Sequence, residues 1–202
     1  MPGERLKRGP NAAQVFLNVP YSRSYERTLV ALTAALVAVG RVPRLTFQIP
    51  EGGQGRLRRI FGLLKSCRVS IHDLSAVGIP VRFNMPFELG LACAIKEQSG
   101  QHDFLILDKE PFRLHRHLSD IGGIDPKIHH GTVQGAICAV LEALEKPSGN
   151  PSAADVMRLY RRMMRLVPQL KARHGNREIF STRVYGELVT SGWVAAKEMG
   201  LS

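Results

Sequence analysis

One carboxylate, Glu88, interrupts the apolar stretch RFNMPFELGLACAI at residues 82 to 95, and it is the only charged residue between Arg82 and Lys96. The stretch reads as a helix opening at Asn84–Pro86 and running over 85–98, with Glu88 in its first turn and apolar residues around most of its circumference. A carboxylate in such company needs a partner or a purpose. Two readings compete. An acid in the first turn of a helix interacts favourably with the macrodipole and the free N–H groups. A fixed carboxylate facing a pocket can instead stabilise positive charge at the anomeric carbon of a sugar, or attack that carbon and form a covalent intermediate, as in retaining glycosyl transfer. The helix N-terminus would keep Glu88 ionised, which suits either role.

In a doubly wound sheet, ligands bind beyond the carboxyl ends of the strands. Asn18, Pro20 and Tyr21 follow the run QVFLNV, His72, Asp73 and Ser75 close RVSIHDLS, and Arg82, Asn84 and Met85 lead into the Glu88 helix. These groups should converge at one edge. His72 and Asp73 are adjacent on a strand, so one of them points away from the other. The segment EGGQGRLRRI could offer backbone N–H groups to a phosphate, but it lacks the P-loop ending and the GxGxxG spacing, and a flexible turn is the simpler reading. His115, His117, His129 and His130 share a long loop with Asp120 and Asp125, without the His-Glu-x-x-His arrangement of a helical metal site. No metal is expected there.

The elements that must position these residues alternate. Strands are expected at 14–19, 44–49, 68–74 and 103–108, and helices at 25–40, 55–67, 85–98 and 132–146. That order predicts an α/β fold, a doubly wound parallel sheet of about five strands covered on both faces. Residues 109–131 are long and irregular, the kind of loop that is often functional. KPSGNPSAAD at 146–155 has the composition of a linker, which divides the chain into an α/β domain at 1–150 and a basic helical extension at 151–202. In the extension, Arg158, Arg161, Arg162 and Arg165 recur at helical spacing beside Leu159, Met163 and Leu166, as on the solvated face of a packing helix.

With 202 residues and 44% hydrophobic composition the chain can bury a sizeable core. Nine of its 28 basic residues and four of its 17 acidic ones lie beyond residue 150, so the last quarter carries +5 of the net +11. Such a charge attracts nucleic acid, anionic membranes or phosphorylated small molecules without choosing among them. At 6% aromatic content a base-stacking platform for nucleic acid is not favoured. Cys67, Cys93 and Cys138 lack the paired spacing of a zinc site or redox dithiol, which suits a reducing, cytoplasmic setting. No apolar run has the length of a membrane span, and MPGERLKRGPNAAQ lacks the apolar core of a signal peptide.

Taken together, VFLNVPYSRSY, SIHDLS and RFNMPFELGLA resemble the nucleoside 2-deoxyribosyltransferase-like group and its relatives, the bacterial TIR-like domains, over about residues 14–108. The resemblance implies a flavodoxin-like fold, to which the C-terminal helical extension at 151–202 is an addition outside the resemblance, and cleavage or exchange of the N-glycosidic bond of a nucleoside, a nucleotide or NAD. NAD would be a substrate, and no cofactor is implied. The Glu-Leu-Gly-x-Ala pattern makes Glu88 in FELGLA the nucleophile or charge stabiliser. Asp73 would contact the base or move a proton, and Tyr21 matches the aromatic residue near the first turn. RFNMP stands where the transferases carry an Asp-Ser-Gly turn, so ribose contact falls to Asn84 or Arg82. Related enzymes share sites between subunits, which implies a homo-oligomer. The alternative is a nucleotide-sensing module without turnover, whose helical tail docks a partner.

Overall fold

The computed structural model describes residues 13–49, 53, 55–76, 84–114, 118, 123–146 and 148–201. Five parallel strands form one sheet: β1 (Gln14–Asn18), β2 (Val42–Arg44), β3 (Val69–Asp73), β4 (Asp103–Asp108) and β5 (Lys127–Ile128), in the order β2-β1-β3-β4-β5. This is the flavodoxin-like order, and it reverses between β1 and β3. In register, Asn18 lies beside His72 and Phe16 beside Ser70, while Asp73 lies beside Leu107. Partners in a parallel ladder share a face, so period-two alternation sends Asn18, Ser70 and His72 to one side of the sheet and Asp73 to the other.

Helices α2 (Arg56–Ser66) and α3 (Asn84–Ser99) cover the Phe16 face, where Phe16, Ile60, Leu63, Leu64, Ala92 and Ile95 pack together. The opposite face carries α1 (Glu26–Ala38), α4 (Val133–Ala143) and two C-terminal helices, α5 (Ala153–Arg173) and α6 (Thr182–Glu198). Every residue of α1 from Leu29 to Ala38 is buried. A helix that is apolar all round must be enclosed, and α5 and α6 enclose this one. Val156, Leu159, Met163, Val167 and Leu170 of α5 belong to the same core cluster as α1 and the sheet. The basic extension therefore completes the core. Thr33, a polar residue buried inside α1, is satisfied by the Leu29 carbonyl at 2.7 Å and the Tyr185 hydroxyl at 2.9 Å.

Two elements differ from the sequence expectation. The second strand lies at Val42–Arg44, ahead of the expected 44–49, and Thr46–Gln48 forms a 3-10 turn in which the Gln48 side chain accepts from the Leu45 N–H at 2.8 Å. Pro43 has no N–H to donate, which suits an edge strand. The fifth strand, two residues long, sits in the segment read as irregular. Among the described residues no helix is long and apolar enough to cross a membrane.

The start of α4 is packed tightly against the end of β5. A Cβ on Gly135 would lie 2.2 Å from the His129 carbonyl oxygen, a backbone atom that cannot swing aside. Gly135→Ala should therefore destabilise the chain by roughly 1–3 kcal/mol in urea unfolding. Gly192→Ala should cost less, because the atom it would meet, at 2.8 Å, is the terminal methyl of Met163 on a flexible side chain.

Candidate functional site at the carboxyl edge of the sheet

Three acids are buried among the described residues, Asp73, Glu88 and Asp108, and all three stand at the carboxyl edge of the sheet. Asp73 closes β3 on the α1 face. Its Oδ2 accepts from the Tyr25 hydroxyl and faces His129 Nε2 at 3.3 Å, and its Oδ1 accepts from the Ser75 N–H at 2.8 Å and the Ser75 hydroxyl at 2.5 Å. His129 Nδ1 accepts from the Gly131 N–H at 3.0 Å, and its Nε2 lies close to Asp73 without completing a hydrogen bond. Burial alone would raise this carboxyl, but His129, Ser75 and Tyr25 outweigh it and hold it below the ordinary aspartate range. Asp108 is satisfied as fully. It takes Arg113 through Nε at 3.0 Å and Nη2 at 2.7 Å, and the Lys109 N–H at 2.6 Å.

Glu88 is different. It is 2% exposed, yet its ion-pair partner among the described residues is one guanidinium, Arg56 Nη2, at 3.3 Å. Arg56 itself is about half exposed and opens α2. Asn84, one turn earlier on α3, adds a hydrogen bond. Burial nevertheless pushes the Glu88 carboxyl above the ordinary glutamate range, against Arg56 and Asn84. The sequence placed Glu88 in the first turn, kept ionised by the helix N-terminus. The structure corrects this. The helix opens at Asn84 and has no acid in its first turn, so Glu88 lies beyond the free N–H groups and meets the desolvation of the stripe it shares with Met85, Leu89, Ala92 and Ile95.

Beneath Glu88, a hydrogen-bonded chain positions its helix. Asn18 Nδ2 donates to the Met85 carbonyl at 3.3 Å and to His72 Nδ1 at 3.0 Å. His72 therefore carries its proton on Nε2 and donates to Ser70 Oγ at 2.8 Å, Ser70 donates to His102 Nε2 at 2.8 Å, and His102 Nδ1 donates to the Cys67 carbonyl at 2.8 Å. Each donor finds one acceptor. Burial, reinforced by His102, pushes His72 down to about 3, so the ring stays neutral. Asn18 and His72 thus tie β1 and β3 to the start of α3.

Of the residues singled out in the sequence, Glu88 and Asn84 lie together. Tyr21 is their neighbour: the charges of both Arg56 and Glu88 act on its hydroxyl, which accepts from the Thr46 N–H at 3.2 Å. Its ring packs against Phe47 and Phe180, and Pro20 beside it in the chain is buried. Asn18, His72 and Met85 form the layer below. Asp73 and Ser75 face the other side of the sheet and are not brought to Glu88. Arg82 lies outside the described residues, as do most of EGGQG and His115, His117 and Asp120. Among the described residues no cluster of three metal-ligating side chains forms. The sequence missed Arg56, Tyr25 and the Asp73 partner role of His129, because each contact joins segments far apart in the chain. The three cysteines are free thiols. On α5, Arg158 pairs with Asp155 and Arg162 with Glu198.

No protein-family model, curated protein or solved structure matches the chain. Fold and site define its class by themselves: a flavodoxin-like α/β protein whose all-parallel sheet is covered on one face by C-terminal helices. Its strand-end polar groups sit at the β1/β3 reversal, where such folds bind ligands.

Proposed function

We propose that the chain cleaves or exchanges the N-glycosidic bond of a nucleoside, a nucleotide or NAD, with Glu88 acting at the sugar carbon. The observation that carries this reading is the contrast among the three buried acids. Among the described residues Asp73 and Asp108 take several donors each, as anchors do, while Glu88 is as buried and its carboxyl is raised by burial against Arg56 and Asn84. A carboxylate in that state gains most when positive charge develops beside it, which is the condition of an oxocarbenium-like transition state. The resemblance of FELGLA to the deoxyribosyltransferase pattern points the same way.

In this reading a Glu88 oxygen approaches the anomeric carbon as the carbon–nitrogen bond breaks, and the bonding pair leaves with the base. From the nicotinamide of NAD that pair neutralises the ring nitrogen and no proton is needed. From a neutral base a proton must reach the leaving nitrogen. Water or a second acceptor then takes the sugar, giving a hydrolase or a transferase. Tyr21 and Asn84 flank the sugar, while Asn18 and His72 hold α3 in place. Asp73, proposed from the sequence as the base-side acid, acts here by holding the edge together.

The test is base release from NAD and from ribo- and deoxyribonucleosides, followed by chromatography at several protein concentrations, with Glu88→Gln alongside. Release that vanishes in the variant is expected. A second reading, a nucleotide-sensing module without turnover, is favoured by the Arg56–Glu88 ion pair, which occupies the carboxylate in the free chain. It predicts ligand binding that Glu88→Gln merely alters, with no release at any concentration.

A further inference from the structure

The geometry points to Phe112 as a ligand-stacking residue of the Glu88 site, an aromatic ring held out in a strained turn so that the planar base of a nucleoside or nucleotide packs on it. The inference rests on the proposed site and deepens it. Three non-glycine residues among the described ones take left-handed backbone: Phe112 at φ 59°, His130 at 53° and Asn176 at 57°. Asn176 follows α5, and asparagine is common in the turns that close helices. The other two both follow strands at the carboxyl edge, Phe112 after β4 and His130 after β5. Histidine tolerates this conformation better than most residues, whereas for a bulky ring it is an outlier. Phe112 follows Pro111 in its turn, at a place where glycine or asparagine is the usual choice when φ is positive.

Burial does not account for the ring. Phe112 is 73% exposed, more than Leu57, Phe87 or Val194, the other exposed large apolar residues among the described ones. The turn that carries it is nonetheless firmly held. Its neighbour Arg113 binds Asp108 and donates to the Leu74 carbonyl at 2.5 Å and the Ser75 carbonyl at 3.4 Å. Leu114 is buried in one cluster with Leu74, Met85 and Leu89, the last two flanking Glu88 on α3. A strained, exposed aromatic residue on an anchored turn at a ligand-binding edge is strain maintained for function. A phenyl ring has a π-face and no hydrogen-bonding group, so it selects a planar ring system and tolerates any base.

Phe112→Gly, Phe112→Leu and Phe112→Trp in the full chain test this. Binding of NAD and of adenosine 5′-monophosphate is measured by calorimetry, in the native background and in Glu88→Gln, which separates stacking from chemistry. Phe112→Gly should melt about 2–4 °C higher, because glycine relieves the left-handed strain, and should bind both probes about tenfold more weakly or worse. Phe112→Leu should lose binding to a similar degree, and Phe112→Trp should retain it. Where base release is present, the loss appears in KM. Probe binding without base release in the native chain would sink the glycosidic reading and leave stacking to be judged on affinity. Unchanged affinity in Phe112→Gly, a lower melting temperature in that variant, or no binding of either probe by the native chain would overturn the inference. So would a Phe112→Gly chain that changes oligomeric state with affinity intact, which would assign the ring to a second copy.

Discussion

Glu88→Gln is expected to lose base release by about three orders of magnitude or more, the scale seen when a group stabilising transition-state charge is removed, and to melt at or above the native temperature. The two halves of this result belong together. Because burial raises the Glu88 carboxyl, ionising it is harder in the folded chain than in the unfolded one and so costs stability. That cost is absent below the ordinary glutamate value and is fully present above the folded value. Glutamine keeps the shape without the charge, and half-exposed Arg56 can turn to water. A gain of about 1 kcal/mol would raise the melting temperature by roughly 2–4 °C in a chain of this size. The gap between variant and native should widen as pH rises through the carboxylate range and close on the acid side. Thermal unfolding at several pH values reads it. A variant that melts several degrees below native throughout would identify a structural ion pair instead, and the case for Glu88 as a charge held ready for a substrate would fail.

Asp73→Asn should do the reverse, costing roughly 1–3 kcal/mol of stability, as expected when buried donors lose their acceptor. The asparagine amide offers one acceptor oxygen where two carboxylate oxygens received Tyr25 and Ser75, and its NH2 group faces donors. The sign with pH also follows. The Asp73 carboxyl is depressed in the fold, so its contribution is present above the ordinary aspartate value and is lost as pH falls through the lower folded value. The native chain should therefore lose stability in acid over that window, and Asp73→Asn should lack that part of the dependence. Urea unfolding between neutral and acid pH measures both. If Asp73→Asn unfolds like the native chain and loses only ligand binding, Asp73 meets the substrate, as its position in SIHDLS suggested.

Much of the fold was legible because its signals are local. The periodicity of YERTLVALTAALVAVG and GRLRRIFGLLKSC, and the apolar runs QVFLNV and DFLILD, mark helices and strands within windows of a few residues. The short strands were harder. Val42–Arg44 and Lys127–Ile128 have too few residues to establish a period, and they are strands because β1 and β4 offer them partners. The alternation rule also predicted that His72 and Asp73 would part company, and the sheet sends them to opposite faces.

From the sequence alone came an α/β chain with a parallel sheet, polar residues gathered at the strand ends, and one carboxylate in an apolar helix that stood out by its isolation. Residue type and spacing carry that information, since each requires only its neighbours in the chain. Tertiary structure alone decided the state of each acid: Asp73 held by Tyr25 and Ser75, and Glu88, among the described residues, by Arg56 and Asn84. It also made the basic C-terminal helices the cover of α1. Desolvation and the partners of a charge depend on which distant segments pack around it, a quantity that local patterns do not contain.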